Sequence, residues 1–230
     1  MPRTRLPKPT PETGSKREMP IAYKDWSVTV RALAEGEQLI VVRAGSADEP
    51  SGRVDLEHER FFLYPTFDFH RRELVRESQQ PEIGRAMEEG VWADGEPAPV
   101  EISPEGHLPQ PDRIRVRAWA EVVDEWTITD RRVLSELSPF HVWAPGYAER
   151  RLAWRRREPL HVALLRTHRI PRPVTVKVAD ESGHPGSWAE ISRDLPFEGT
   201  PVLADGEFEH ASAMISDAIA RAGDRTPALA

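Results

Sequence analysis

The chain has 230 residues, 39% of them hydrophobic and 30% charged, with 22 prolines, no cysteine and a net charge of −7. That length suits one large domain or two small ones with a real core, and the missing cysteines exclude disulfides, thiolate nucleophiles, iron–sulfur clusters and cysteine-ligated zinc. The acidic balance argues against indiscriminate phosphate-backbone binding while leaving room for a local basic patch, and no apolar leader or run of about 18 apolar residues is visible, so the expectation is a cytoplasmic protein that does not enter a membrane.

Residues 1–20 carry five Lys or Arg and five prolines with almost no large apolar side chain, the composition of a mobile basic tail. From Ala22 the apolar residues Ala22, Trp26, Val30 and Leu33 recur at helical spacing and Gly36 supplies a stop, which predicts a first helix. Gln38–Arg43 (QLIVVR) and Phe61–Tyr64 (FFLY, closed by Pro65) read as strands, and Thr66 is placed to cap a short surface helix over TFDFHRRELVRESQ. Between Pro81 and Pro111 periodicity fades into a long internal connection, with one amphipathic piece around Ile83–Met87. Arg113–Trp126 alternates apolar and polar residues as a half-buried strand does. Asp130 then caps a short helix, DRRVLSEL, and a second helix is expected over Pro145–Trp154. Leu160–Ile170 returns to strand, with short edges at Val174–Val178 and Trp188–Ile191. Asp205 opens a last helix whose Phe208, Ala211, Ile215, Ala218 and Ile219 form one apolar stripe, ended by Gly223. The expected domain plan is a tail at 1–20, an α+β domain at 21–195 with its long loop at about 81–112, the last helix and its lead-in at 196–223, and a frayed end at 224–230.

Catalytic signatures are sparse. GxxxxGK[ST], GxSxG and GxGxxG do not occur. Glu57, His58 and Glu59 lie near His70, a set of oxygen and nitrogen groups without HExxH spacing, and no metal is assigned to it. His161 and His168 fall in an apolar strand, where hydrogen-bonded structural histidines are expected. Arg150–Arg157 (RRLAWRRR) sets five arginines around Trp154, pairing phosphate-binding forks with a flat surface for a base. No motif names a cofactor or fixes an oligomeric state.

Five ordered blocks resemble the bacterial domain-of-unknown-function 1802 family over about Ile21 to Trp188: YKDW (23–26), ALAEGEQLIVVR (32–43), EHERFFLYPT (57–66), LSPFHVW (137–143) and RRLAWRRREPLHVALLR (150–166). The order of elements more distantly resembles the ASCH branch of PUA-like domains, with its GxKxxExR motif. Gly36 and Arg43 match that motif, whereas Gln38 replaces the lysine and Val41 the glutamate, so the charged pair attributed to hydrolytic members is missing. The fold this implies is α+β: a small mixed PUA-like β-barrel with flanking helices and a C-terminal helix.

The first functional expectation is a binding module for RNA, a modified base or a nucleotide. Its cleft would be lined by Gln38, Arg43, Tyr64 and Thr66, and assisted by Arg151, Trp154, Arg155 and Arg156. A nuclease or small-molecule hydrolase is the second, with Glu57 as general base and His58 or His70 as its partner. A scaffold docking a protein partner through Phe208, Ile215 and Ile219 is the third.

Overall fold

Residue alternation along the strands decides the architecture of the computed structural model, which describes residues 20–44, 58–67, 72–92, 111–128, 131–145, 147, 160–178, 187–191 and 193–224. The elements in chain order are β1 (Ile21–Trp26), α1 (Ser27–Glu35), β2 (Ile40–Ala44), β3 (Arg60–Thr66), α2 (Gln80–Ala86), β4 (Gly90–Val91), β5 (Arg113–Ile128), α3 (Arg131–Glu136), β6 (Leu160–Lys177), β7 (Trp188–Glu190), β8 (Thr200–Pro201) and α4 (Asp205–Asp224). The strands form one mixed sheet in the order β2-β6-β5-β3-β1-β7, with β4 added to β5 and β8 to β6. β1 and β3 run parallel, and the other pairs are antiparallel.

On β2, Val41 belongs to one buried cluster and Ile40 and Val42 to another; on β6, Ala163 and Leu165 part from Leu160, Val162 and Leu164 in the same way. This is the period of two that sends successive side chains to opposite faces. The first cluster draws Tyr23 from β1, Val41 from β2, Phe61 and Leu63 from β3, Ala118 and Ala120 from β5, Ala163 and Leu165 from β6 and Trp188 from β7. A single cluster fed by all six strands of the path requires a sheet curled on itself, and the seam confirms the curl. Arg43 at the end of β2 donates to Ser187 Oγ (3.3 Å), next to β7 at the opposite end of the path. Alanines on the paired β5 and β6 face the rings of Tyr23, Phe61 and Trp188, the small-against-large filling of a narrow barrel. α1 contributes Val30, Leu33 and Ala34 to the same interior.

The outer face of β2 and β6 is covered by helices. Val133 and Leu134 of α3, Ile83 and Ala86 of α2, and Phe208, Ile215 and Ala218 of α4 pack there with Leu137, Phe140 and Trp143. α4 is anchored at its start: Asp205 pairs with Arg166, whose guanidinium lies 4.7 Å from the centre of the Phe208 ring, and Glu207 Oε2 accepts from Ala204 N (3.1 Å). No helix among the described residues is long and apolar enough to cross a membrane.

Several expectations change. Ile21–Trp26 is a strand, not the first turns of a helix, because its backbone pairs with β3 on one side and β7 on the other; the helix begins only at Ser27. Its end at Gly36 is as expected, with φ 78° in the left-handed region that glycine alone adopts without strain. β3 runs through Pro65 to Thr66, since β5 pairs only with Arg60–Phe62 and Pro65 has a single neighbouring strand. The helix expected after Thr66 appears, in its described part, as two separate 3₁₀ turns at Arg72–Leu74 and Glu77–Gln79. The long connection contains α2, and the Val174–Val178 edge is the far end of β6, which carries two register shifts against β5. The expected tails, most of the Pro145–Trp154 helix and residues 93–110 lie outside the described residues.

Candidate functional site

A pocket opens on the helix-covered side of β2, where Val42 points away from the barrel. The segment after α3 turns through Ser138–Phe140 and lays residues 141–144 between two neighbours. On one side Leu39 N donates to Phe140 O (3.1 Å) and Val142 N to Gln38 Oε1 (3.1 Å). On the other, Arg76 N donates to Val142 O (3.0 Å) and Ala144 N to Leu74 O (2.8 Å), around the bridge between Val75 and Trp143. The cavity beside this strip has a volume of about 230 Å³, and its walls include Val42, Arg76, Leu134, Ser135, Ser138, His141, Trp143 and Tyr147. Trp143 and Tyr147 stack in parallel, ring centres 4.6 Å apart at 7°, and Trp26 meets Trp143 edge-on at 5.2 Å. The aromatic wall is therefore fixed by its own packing.

Its electrostatics come from two side chains. His141 Nδ1 accepts from Trp143 N (3.1 Å) and Nε2 lies 3.3 Å from Leu134 O, so the hydrogen bonds require the Nε2–H tautomer. Burial drives its pKa down to about 4, which leaves the ring neutral near pH 7 with both nitrogens engaged. It is a poor general base for that reason. Arg76 Nε donates to Trp143 O (3.2 Å) and Nη2 to His141 O. Burial lowers its pKa, and no carboxylate acts on it among the described residues. Among the described residues the pocket thus combines an aromatic wall, two serine hydroxyls and a cation bonded to main-chain carbonyls.

A family model described as a domain of unknown function, DUF1802, matches residues 22–214. The chain belongs to the DUF1802 family. The match runs past Trp188, where the sequence resemblance ends, through the first half of α4, so the start of the C-terminal helix is part of the DUF1802 unit. No curated protein matches in sequence. Among solved structures, the chain is similar to a serine-to-alanine mutant of ZmASCH from Zymomonas mobilis, at 11% identity and TM-score 0.40 over 85% of this chain and 96% of that one. A tyrosine-to-phenylalanine mutant of the same protein gives 11% identity and TM-score 0.39 over 85% and 98%.

The DUF1802 chain does not gather Gln38, Arg43, Tyr64 and Thr66 into one cleft. Gln38 is 0% exposed; its Nε2 donates to Ile40 O (2.8 Å) and its Oε1 accepts from Val142 N, so it clasps the strip behind the pocket and offers nothing to a ligand. Arg43 lies on the opposite face of β2, bonded to Ser187 with its guanidinium carbon 5.6 Å from the Tyr23 ring centre. Tyr64 is buried in a third cluster with Phe62 and Phe67, and Thr66 Oγ1 donates to Asp25 O (3.1 Å). His58 meets Trp188 edge-on at 5.0 Å, which brings it to the same aromatic group as Arg43, since Trp188 also packs on Tyr23 and Phe61. Glu57, His70, Arg151, Trp154, Arg155 and Arg156 lie outside the described residues. No group of three or more His, Asp or Glu suited to a metal ion occurs among the described residues.

The third expectation is corrected by burial. Phe208, Ile215 and Ala218 are inside the protein's own core and Ile219 packs against it, so the stripe of α4 is not a free docking face. Sequence patterns do not mark the residues that do form the pocket. Arg76 sits in a stretch that reads as a surface helix, and His141 and Trp143 lie in the LSPFHVW block, whose mix of proline, histidine and tryptophan between two expected helices is the one local signal.

Proposed function

We propose that this DUF1802 protein binds a nucleobase, either in single-stranded RNA or as part of a free nucleotide, in the pocket walled by Trp143, Tyr147, His141 and Arg76. The observation that carries the reading is the coexistence, in one cavity, of a prepacked aromatic wall and a guanidinium that no carboxylate compensates among the described residues. Stacking supplies sequence-tolerant affinity, and a cation supplies attraction to oxygen-rich ligands. Size supports one ring system: about 230 Å³ falls below the ~300–1,000 Å³ of sites that hold a drug-sized ligand. Sugar and phosphate would then remain outside, as for a base turned out of a strand. Three residues after Tyr147 the sequence enters RRLAWRRR, a run whose arginines suit phosphate pairing.

Fluorescence anisotropy with labelled single-stranded RNA and DNA, beside calorimetry with free nucleotides, tests the reading. Binding is expected to weaken steeply as salt rises and to fall in Arg155→Glu and Arg156→Glu. Binding that is undetectable for every oligomer and nucleotide, or that ignores salt for the oligomers, overturns it.

A further inference from the structure

We infer that the pocket selects rings by their acceptors, taking bases with an oxo group at the edge facing Arg76, as in uracil and hypoxanthine, over the matching amino-substituted bases cytosine and adenine. The inference rests on the nucleobase reading above and deepens it. Its basis is an imbalance of donors and acceptors around the cavity. The acceptors of the 141–143 strip already receive protein hydrogen bonds: His141 O and Trp143 O from the Arg76 guanidinium, Val142 O from Arg76 N, and His141 Nδ1 from Trp143 N. Leu134 O, from another lining residue, lies within hydrogen-bonding distance of His141 Nε2.

The donors are in the opposite state. A guanidinium carries five N–H groups, and the bonds of Arg76 run only from Nε and Nη2, so its Nη1 has no hydrogen bond among the described residues. Among the described residues the walls include no Asp or Glu. Among the described lining side chains, an amino group pointing into this space would meet a positive charge and have as acceptors the hydroxyls of Ser135, Ser138 and Tyr147, which act either way. An oxo group would meet a donor whose charge strengthens the bond. The indole and phenol rings accept either base, so they set affinity and leave the choice to the edge. A site that hydrogen-bonds one substituent rejects the analogue lacking it, because its own buried polar group is left without a partner.

Calorimetry or competition with the wild-type protein decides the point, using inosine against adenosine and uridine against cytidine, pairs that exchange oxo for amino at one ring carbon. The oxo member of each pair is expected to bind about tenfold tighter or more, and Arg76→Gln is expected to reduce that ratio to near one. If Arg76→Gln fails to fold, as circular dichroism would show, the wild-type series still gives the answer. Equal binding within both pairs, or tighter binding of adenosine and cytidine, overturns the selectivity while leaving base binding intact. Absence of binding by all four nucleosides and by single-stranded RNA overturns the base-binding reading itself, and the selectivity with it.

Discussion

Two half-buried arginines in this protein are held in opposite ways. Arg117 on β5 meets Glu89, their atoms 2.6 Å apart, and the glutamate side chain is only 3% exposed while the arginine side chain is 39% exposed. Arg76 has main-chain carbonyls as its partners. A cation beside a buried carboxylate is neutralised where it stands, and such a pair contributes mainly to the integrity of the fold. A cation held by neutral carbonyls keeps its charge for whatever enters the cavity beside it. The difference separates a structural arginine from one suited to recognition, although both read alike in the sequence.

Removal of the structural arginine has the larger expected cost. Arg117→Met should destabilise the protein by about 3 kcal/mol, the low end expected for orphaning a buried ion. Burial already raises the pKa of Glu89, so its ionised form is disfavoured in the fold and stability falls as pH rises from the ordinary carboxylate value through the raised one. Removing Arg117 should deepen that fall. Denaturant titrations of the variant at pH 5 and pH 7 should show the smaller loss at pH 5.

An effect of similar size is expected from His141. Its folded pKa near 4 lies below the ordinary 6.5 of the unfolded chain, so the unfolded state binds the extra proton first. Stability is full above about pH 6.5 and declines as pH drops toward 4, by on the order of 3 kcal/mol. Thermal unfolding across that window should show the decline in the wild type and a flatter acid limb in His141→Gln. Next, Gln38→Leu removes the partners of Val142 N and Ile40 O and should cost about 2 kcal/mol in chemical denaturation, with ligand binding weakened because the strip carrying His141 and Trp143 loosens.

Arg76→Met probes the contrast from the other side. It leaves two carbonyls without a donor but no buried anion, so a loss of about 1–2 kcal/mol is expected, smaller than for Arg117→Met, together with a large loss of affinity for oxo-substituted nucleosides. The smallest effect belongs to Arg43→Ala. This removes a bond to Ser187 and a cation–ring contact with Tyr23, so it should cost about 1 kcal/mol or less and leave nucleoside binding unchanged. A clear drop in nucleoside affinity would move the site to the barrel seam.

Elements with strong local signals are legible in the sequence. β5 and β6 alternate over many residues, and α4 carries an apolar stripe between a clear start and a glycine. Gly36 announces its turn because a left-handed φ restricts the residue. The site is far less legible. Gln38 and Arg43 flank the same apolar run, yet one is buried behind the pocket and the other closes the barrel on the far side. Nothing local distinguishes them, since the face a residue takes depends on where the strand begins to pair.

Amino-acid order sufficed for the α+β class, the family, the longer strands and the last helix, because hydrophobic period, glycine and proline act over a few neighbouring residues. Long-range packing was needed to make Ile21–Trp26 a strand, to bring the ends of the sheet together at Arg43 and Ser187, and to set Arg76 and His141 in one cavity across 65 positions of chain. Those outcomes depend on hydrogen bonds and contacts between distant segments, whose partners no local pattern names.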